Sequence, residues 1–144
     1  MRPAAAPEPE PRRPAFCLPL RVYYQDTDAG GVVYHSRYLD FLERARYEWL
    51  REAGFGLREL AERLKIVFVV RSLSIEFRRP ARLDDLLHVT VRLDQVGRSR
   101  VPVTQEVKRD HEILAEAMVE LACVDARTLK PASLPPELRR AIVR

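Results

Sequence analysis

With 144 residues, 47% of them hydrophobic and 32% charged, the chain has enough apolar material for one compact domain and too much for a largely disordered protein. No apolar run approaches the roughly 18 residues of a membrane span, and Pro and Glu interrupt the N-terminal alanines where a secretory signal would be apolar, so we expect a soluble, cytoplasmic protein. The excess of 25 basic over 21 acidic residues suggests an anionic partner, with nucleic acid, an acidic lipid surface and a phosphorylated cofactor all open.

The N-terminal part of the chain divides into a tail, a strand and a loop. Residues 1–16 are rich in proline and predict a flexible tail ahead of a single domain at 17–144. From Leu18 to Tyr24, apolar and aromatic residues predict a first strand. Residues 25–31 contain two aspartates and two adjacent glycines, which predict a tight loop because Gly adopts unusual backbone angles and Asp bonds to its own backbone.

The longest helix is predicted at residues 36–53. Apolar residues recur there at three- and four-residue steps and charged residues occupy much of the remainder, so one stripe is expected to be buried. Ser36 can cap the start, and Gly54 suits the left-handed position just past the end. A second, short helix is predicted at 57–64. The buried stripe consists of Tyr38, Phe41, Leu42, Ala45, Trp49 and Ala53.

After Lys65 the hydrophobic period changes from helical to alternating, which predicts strands. The first is a long strand or a bent pair, interrupted by residues 80–85, and short turns join the strands that follow. Short turns imply antiparallel neighbours, so we expect an α+β fold in which a curved antiparallel sheet of about five strands wraps one long helix. The later elements are predicted at 87–93, 101–108 and 112–124 as strands and at 135–143 as a short helix.

The most informative segment is the glycine-rich loop at residues 26–35, because it places a carboxylate directly before a helix. The first-turn N–H groups of a helix have no intrahelical partner and carry partial positive charge, so they can hold a thioester carbonyl oxygen as it becomes anionic. A nearby carboxylate can attack the carbonyl carbon or deprotonate a water molecule that does so. The pattern therefore favours acyl transfer.

This loop and the start of the helix resemble the 4-hydroxybenzoyl-CoA thioesterase family of hotdog-fold proteins, and most closely its acyl-CoA thioesterases associated with the Tol-Pal system of Gram-negative bacteria. The resemblance covers about Leu18 to Pro131. It implies a hotdog fold and the hydrolysis of acyl-CoA to a free acid and CoA, with no metal or redox cofactor. The segments that carry it are Asp26–His35, Ser36–Tyr38, Glu43–Arg46, Phe68–Arg71 and Pro80–Asp85.

The resemblance also implies a role for each loop residue. Asp28 falls on the catalytic carboxylate, as base or nucleophile, and Asp26 is then a loop-shaping residue. The backbone N–H of His35 would polarise the carbonyl, with Gly31 allowing close approach beside it and Tyr34 belonging to the same oxyanion loop. Whether the His35 imidazole also orients water or Asp28 stays open.

Several residues outside the loop are weaker candidates. Glu43 lies two helical turns beyond His35, roughly 12 Å along the axis, so we expect a supporting hydrogen bond or a surface ion pair and not direct attack. Tyr34, Tyr38 and Trp49 are expected as core or interface aromatics, although Tyr38 could also line the acyl pocket. Four arginines are candidates for binding the CoA phosphates, while a solvated charge is the commoner role for each. They are Arg78, Arg79, Arg98 and Arg100.

The partners expected of the chain follow from the resemblance and from the composition. The family forms dimers whose sheets join edge to edge, often paired into tetramers, with active sites at the subunit interface, so we expect a homodimer or homotetramer. Acyl-CoA is the expected substrate, with acyl carrier protein as a second candidate partner and at most a peripheral association with membranes. The basic runs lack the aromatic pattern of RNA-binding proteins, so no nucleic acid is expected. The scattered histidines indicate no metal, and Cys17 and Cys123 are expected to be free thiols.

Two other functions remain open. A hotdog dehydratase acting on acyl carrier protein usually pairs a histidine with a carboxylate in another arrangement. A non-catalytic module that binds acyl-CoA or acyl carrier protein, or acts as a scaffold, would keep the fold without the chemistry, although an intact Asp28 argues against it. The enzymatic interpretation would fail if the Asp28 carboxyl pointed into solvent or were locked entirely into its own turn.

Overall fold

The computed structural model describes residues 15–143, which form a five-stranded antiparallel sheet crossed on one face by a long helix. This confirms the predicted α+β architecture. No helix within the described range is long and apolar enough to cross a membrane. The elements in chain order are β1 (Phe16–Arg21), α1 (His35–Glu52), α2 (Leu57–Glu62), β2 (Ile66–Phe77), β3 (Leu86–Leu93), β4 (Arg100–Arg109), β5 (Glu112–Asp125) and α3 (Pro136–Ile142).

The N-terminal predictions need two corrections. The proline-rich residues 1–14 lie outside the described residues, but Phe16, predicted to belong to the tail, is the first residue of β1. β1 also ends earlier than predicted, at Arg21, and the chain then enters a 3-10 turn at Tyr24–Asp26. This turn forms because the N–H groups of Asp26 and Thr27 donate to the carbonyls of Tyr23 and Tyr24 at 3.0 and 3.1 Å.

The sheet has the strand order β1-β3-β4-β5-β2, so β1 and β2 are its two edges. β1 is short, with six residues including Pro19, whereas β2 has twelve. The central strands confirm the predicted alternation, because every second residue of β3, β4 and β5 points into one core. These buried residues are Leu87, Val89 and Val91, then Val101, Val103 and Val107, then Ala115, Ala117, Val119 and Leu121.

β2 contains a β-bulge that the sequence pattern did not predict. Its register against β5 shifts between Val70 and Ser72, which leaves Arg71 as the extra residue. Phe68 is paired with the buried Cys123, and Leu73 with the buried Val119, so the apolar side chains on both sides of the bulge face the helix side of the sheet. The apolar row of this strand is therefore Phe68, Val70, Leu73, Ile75 and Phe77, whereas Val67 and Val69 point to the opposite face.

α1 begins at His35, one residue before the predicted start, with Tyr34 at the N-cap and no side-chain capping bond. The predicted Ser36 cap is wrong because Ser36 lies inside the first turn, beyond the position from which a side chain can cap. The buried stripe is broadly as predicted, except that Trp49 and Ala53 are half-buried. Two residues not assigned to the stripe, Arg46 and Leu50, are buried.

The end of α1 confirms the role predicted for Gly54. Its φ of 100° lies in a region that side chains disfavour. The Gly54 N–H donates to the Arg51 carbonyl and the Phe55 N–H to the Leu50 carbonyl, both at 2.9 Å, which is the paired pattern of a Schellman motif. α1 can therefore turn sharply into α2.

α1 packs mainly over β1, β3 and β4, and α2 packs over β2. The helix side of the sheet is thus less covered along β2 from Val70 to Phe77. Three apolar side chains there remain 36–48% exposed: Val70, Leu73 and Phe77.

Candidate active site

Asp26 holds the base of the glycine-rich loop. Its side chain is 5% exposed, and Oδ2 accepts a hydrogen bond from the Tyr23 N–H at 2.8 Å. Its backbone carbonyl accepts from the Tyr34 N–H at 3.0 Å. One residue thus ties both ends of the loop together, which places the start of α1 next to the end of the 3-10 turn.

Asp28 lies at the tip of the loop, in a tight turn. Its N–H donates to the Val32 carbonyl at 2.9 Å, and its carbonyl accepts from the Gly31 N–H at 3.0 Å. The carboxylate oxygen Oδ1 accepts from the Gly30 N–H at 2.8 Å, and Oδ2 has no hydrogen-bond partner among residues 15–143. Asp28 is exposed, so one oxygen is committed to the turn and the other faces open space. In one chain the Asp28 carboxyl therefore faces solvent, which is the condition under which its catalytic role fails, so that role requires a second copy of the chain to cover it.

The two glycines of the loop differ in backbone angle and in surroundings. Gly31 has a φ of 76°, and a Cβ placed there would meet no atom within 4 Å. Gly31 therefore supplies the unusual backbone angle expected of this loop, and the close approach of a bound carbonyl beside it stays a prediction. At Gly30, a Cβ would lie 3.2 Å from Asp28 Oδ1, so this neighbour restricts the space beside the carboxylate.

The N-terminus of α1 presents open donors beside the loop. Within the described residues, the N–H groups of His35 and Ser36 have no acceptor, whereas the Arg37 N–H donates to the Tyr34 carbonyl at 2.8 Å. The rings of Tyr34 and His35 lie 4.5 Å apart between centroids, and both residues are exposed. The helix therefore offers two adjacent N–H groups and the positive end of its dipole to a ligand.

The segment from Pro80 to Asp85 is hydrogen-bonded to both the glycine-rich loop and α1. The Val33 N–H donates to the Ala81 carbonyl at 2.8 Å, and the Ala81 N–H donates to the Tyr38 hydroxyl at 3.0 Å. Tyr38 is 3% exposed; burial raises the pKa of its hydroxyl, and the Ala81 hydrogen bond opposes that rise. Tyr38 thus has a structural role that its position in an apolar stripe did not reveal.

Arg109 at the end of β4 holds the same segment in place. Its Nη1 donates to Asp85 Oδ2 at 2.7 Å, and its Nη2 donates to Glu112 Oε1 at 3.1 Å. Asp85 Oδ2 also accepts from the Arg82 N–H at 2.8 Å. Hydrogen bonding to Asp85 raises the pKa of Arg109, so this guanidinium stays charged. No local sequence pattern indicated this cluster, because it depends on strand register.

An open groove of about 280 Å³ connects the start of α1 to the end of β2. It brings together three of the predicted site residues, His35, Arg78 and Arg79; Asp28 is not among its lining residues. Arg78 is paired with Glu116 at 2.8 Å, whereas Arg79 lies 3.8 Å from Glu112 and is 68% exposed. Arg79 is therefore the more available cation. The other lining residues are Val33, Tyr38, Phe77 and Pro80.

The structure separates the remaining candidates from this groove. Arg98 donates to the Ser133 hydroxyl at 2.7 Å, and Arg100 lies 3.4 Å from Glu120. Both are at the end of the sheet where β4 begins, whereas His35 lies near the end where β4 finishes. Within one chain, these two arginines are not part of the same site.

Glu43 lines a different cavity, of about 440 Å³, between α1, α2 and the start of β2. Arg46 and Tyr47 line it as well. Arg46 Nη1 donates to Gln105 Oε1 at 3.0 Å. A signal for this buried pair was present in the sequence. Arg46 follows Leu42 by four residues on the buried stripe, and Gln105 continues the inward row of Val101 and Val103.

No cluster of three or more His, Cys, Asp or Glu residues in the described part of the chain is placed to hold a metal ion. Cys17 and Cys123 are free thiols, as predicted, and Cys123 lies within β5. Burial raises the pKa of Cys123 to about 11, which keeps its thiol protonated and unreactive.

The chain is similar in sequence to thioesterases. Residues 22–142 match the family model of the thioesterase-like superfamily. The acyl-CoA thioesterase YbgC of Haemophilus influenzae is 45% identical over 126 residues, a match that covers 88% of this chain and 93% of that relative. The acyl-CoA thioester hydrolase YbgC of Escherichia coli O6:H1 is also 45% identical, over 125 residues, with 85% of this chain and 92% of the relative covered.

A solved structure agrees with the sequence matches. The probable thioesterase from Bartonella henselae has a TM-score of 0.82 and 39% sequence identity to this chain. The likeness covers 85% of this chain and 100% of that one. It confirms the fold that the sequence resemblance implied.

Proposed function

This chain belongs to the thioesterase-like superfamily, and from that premise we propose that it hydrolyses acyl-CoA thioesters to a free carboxylic acid and CoA. The relatives that are 45% identical over most of the chain are named for acyl-CoA thioester hydrolysis. One observation carries the proposal for this chain. The same loop holds the Asp28 carboxylate, of which only Oδ1 is hydrogen-bonded, and leads into the uncapped N-terminus of α1. An association with the Tol-Pal system, a cytoplasmic location and acyl carrier protein as a partner stay predictions.

Asp28 is the proposed catalytic carboxylate. The Gly30 N–H fixes Oδ1, and the free Oδ2 is the oxygen that would attack the thioester carbon or deprotonate a water molecule. Attack by Oδ2 would give a mixed anhydride and release the CoA thiolate, and water would then hydrolyse the anhydride. In the alternative, water attacks the carbonyl while Asp28 takes its proton. Both routes give the same products.

The oxyanion is proposed to rest on the start of α1. The His35 N–H is open and lies at the positive end of the helix dipole, so it can stabilise a carbonyl oxygen that gains negative charge. This role uses the backbone of His35 and does not require its imidazole. Arg79, the loosely held cation of the neighbouring groove, is the first candidate for a CoA phosphate, ahead of the ion-paired Arg78.

A second copy of the chain is proposed to complete the site. Asp28 is exposed in one chain, where water screens its charge, and catalysis by fixed dipoles is strongest where water is excluded. The exposed apolar row on the edge strand β2 supports a homodimer in which two sheets join through β2. A tetramer would add a further interface between such pairs.

The test is thiol release from short, long and aromatic acyl-CoA substrates by the wild type, Asp28→Asn and Asp110→Asn. Asp110 is a matched control because it is an exposed aspartate in a turn. We expect Asp28→Asn to lower kcat by about 10²–10⁴-fold with the oligomer intact, because the general base or nucleophile is lost. Asp110→Asn should retain wild-type turnover.

Other outcomes distinguish the alternatives. A binding module would bind acyl-CoA equally well with Asp or Asn at position 28 and release no thiol in either case. A dehydratase would change the absorbance of a hydroxyacyl thioester without releasing thiol. Full activity of Asp28→Asn would overturn the role of this carboxylate while leaving the hydrolase assignment in place.

A further inference from the structure

The cavity between α1, α2 and the start of β2 is separate from the groove at His35. Its volume of about 440 Å³ falls in the usual range for small-molecule sites, and a cavity of roughly 150 Å³ already holds benzene. Its walls are mostly aliphatic or aromatic. They include Leu50, Leu57, Leu60, Val67, Phe68 and Leu121.

One charged group is embedded in this apolar surface. Arg46 is 5% exposed and lines the cavity, and it forms no ion pair within 4.0 Å of any acid among residues 15–143. Burial lowers the pKa of its guanidinium, which measures how poorly the surroundings solvate the charge. A buried cation without an acid partner is costly and is expected where a ligand supplies the missing charge.

The hydrogen-bond partner of Arg46 positions it without neutralising it. Gln105 is fully buried, and its Nε2 donates to the carbonyls of Leu42 and Thr90 at 3.1 and 3.2 Å. These two bonds turn Oε1 toward Arg46, where it accepts from Nη1 at 3.0 Å. The amide therefore fixes the guanidinium between α1 and the sheet and leaves its positive charge intact.

The remaining nitrogens of Arg46 reach the cavity. Every fully buried side-chain nitrogen and oxygen in the described residues has a hydrogen-bond partner. Nε and Nη2 of Arg46 have no acceptor there, so they must keep some accessible surface, and the cavity is the space that Arg46 lines. Two donors of a fixed planar group are thus available to an acceptor inside an apolar cavity.

Glu43 is the acid electrostatically nearest to Arg46, but it does not occupy this position. Glu43 is exposed, so its charge is screened by water, and it approaches no nitrogen of Arg46 within 4.0 Å. Burial and then the neighbouring Glu43 raise the pKa of Tyr47, so this hydroxyl stays protonated. The interior of the cavity is therefore positive and its rim is negative.

We propose that this cavity binds a carboxylate carried on an apolar chain or ring, with the carboxylate accepting hydrogen bonds from Arg46. An eight-carbon acid is a suitable probe for this volume. Such a carboxylate has two sources: a free carboxylic acid, or the far end of an acyl group whose CoA thioester lies at the Asp28 loop of a second copy joined through β2. The thioester cannot lie at the loop of the same chain, because His35 and Arg46 are about 16 Å apart along α1. The second source rests on the proposed function, and the first does not.

The direct test measures the binding of octanoate and of its neutral counterpart octanamide to the full chain by calorimetry, without turnover. We expect wild type to prefer octanoate, because hydrogen bonds to a charged group are about twice as strong as neutral ones. Arg46→Met should weaken octanoate binding by about 10- to 100-fold and leave octanamide binding unchanged. Arg46→Lys should retain most of the preference. Arg44→Met, an exposed arginine of the same helix, is the matched control and should bind as wild type does.

Equal binding of octanoate by wild type and Arg46→Met, or no preference of wild type for octanoate over octanamide, would overturn the proposal. If Arg46→Met does not fold, the wild-type preference and the Arg46→Lys variant still decide it. The two sources are then separated by comparing kcat/KM for suberyl-CoA, whose eight-carbon acyl group ends in a carboxylate, with that for octanoyl-CoA. If kcat/KM is at least tenfold higher for suberyl-CoA and this difference is lost in Arg46→Met, the carboxylate belongs to the acyl group. If octanoate binds but kcat/KM does not differ between the two substrates, the ligand is the free acid. A chain without hydrolase activity would leave the octanoate result standing.

Discussion

The hydroxyl of Tyr38 connects three segments that form the candidate active site. It lies on α1, accepts the Ala81 N–H, and Ala81 in turn accepts the Val33 N–H of the glycine-rich loop. The rings of Tyr38 and Phe77, at the end of β2, also pack edge to face, with centroids 5.2 Å apart. Tyr38, whose sequence position predicts an ordinary core aromatic, therefore also fixes the position of the loop relative to the helix.

Tyr38→Phe tests this link. The Ala81 N–H is buried and would lose its acceptor, so we expect the free energy of unfolding to fall by about 1–2 kcal/mol and Tm to fall by roughly 3–6 °C. Turnover should fall as the loop shifts. Thermal unfolding and thiol release are the measurements. Tyr24→Phe is the control, since the Tyr24 side chain is 82% exposed, and an equal loss in both variants would contradict the role of the Tyr38 hydroxyl.

The buried thiol of Cys123 is expected to make the free energy of unfolding fall at alkaline pH. Burial raises the pKa of this thiol to about 11, whereas an unfolded thiol titrates near about 8.5. The folded state therefore binds the proton more tightly, so the stabilisation is complete below about pH 8.5 and is lost as the pH rises toward 11.

We expect the free energy of unfolding of wild type to fall between about pH 8.5 and 10.5 by the order of 1–2 kcal/mol more than that of Cys123→Ala. Urea denaturation at several pH values measures the difference. Comparing the two proteins removes the contribution of Tyr38 and Tyr47, whose pKa values are also raised by burial. Parallel curves for the two proteins would show that the thiol does not cause the decline.

At the scale of elements, Gly54 determines where α1 ends. Its φ of 100° and the two hydrogen bonds around it close the Schellman motif and direct the chain into α2. A side chain at this angle is strained even where space is available, and a Cβ at Gly54 would meet nothing within 4 Å. The cost of a substitution is therefore conformational and not steric.

Gly54→Ala should destabilise the fold by about 1–2 kcal/mol because of that angle. Gly97→Ala is a matched control, since Gly97 does not have a positive φ and its Cβ would make an ordinary contact of 3.6 Å. We expect it to change stability by less than about 0.5 kcal/mol. Chemical denaturation of both variants compares them. Similar losses would mean that backbone strain is not the cause.

The elements show which features a sequence can specify. α1 and the central strands were predicted closely because their period is local and strong, and Gly54 marked a boundary by itself. The bulge at Arg71 was not predictable, because residues 66–70 are all apolar and do not show which of them face the helix, so the register is decided by pairing with β5. Ser36 looked like a cap, but the hydrogen bonds of Asp26 and Ala81 begin the helix one residue earlier.

The candidate site also has a part that the sequence could predict and a part that it could not. The loop, its carboxylate and the helix start are contiguous in sequence, so their identity could be predicted. The placement of Arg79 beside His35, the distance of Arg98 and Arg100 from them, and the support from Arg109 depend on contacts between distant segments. The sequence indicated basic residues without indicating which of them share a surface.

At the scale of the whole molecule, the helices leave part of the apolar face of the sheet exposed. The apolar row of β2 from Phe68 to Phe77 faces the helix side, yet α1 packs mainly over the other half of the sheet. A second copy joined through β2 would bring more apolar surface over this row and exclude water from it.

Leu73→Lys tests the assembly. Leu73 is 36% exposed in one chain and faces the helix side, so a charge there should move the protein toward the 16.7 kDa monomer and lower turnover with it. Ser74→Lys, on the opposite face of the same strand, should remain at least a dimer. Sedimentation equilibrium measures both. A monomeric wild type with full activity would contradict a site shared between copies.

Pro19 sets a limit on how far such an assembly can grow. It sits in the six-residue strand at the other edge of the sheet and has no N–H, so a chain laid alongside that edge would find a missing donor. Of the two sheet edges in residues 15–143, β1 is thus poorly suited to pairing, and β2 is no longer available once two copies have joined through it. Joining by strand addition then ends in a closed twofold pair and does not propagate into a fibre.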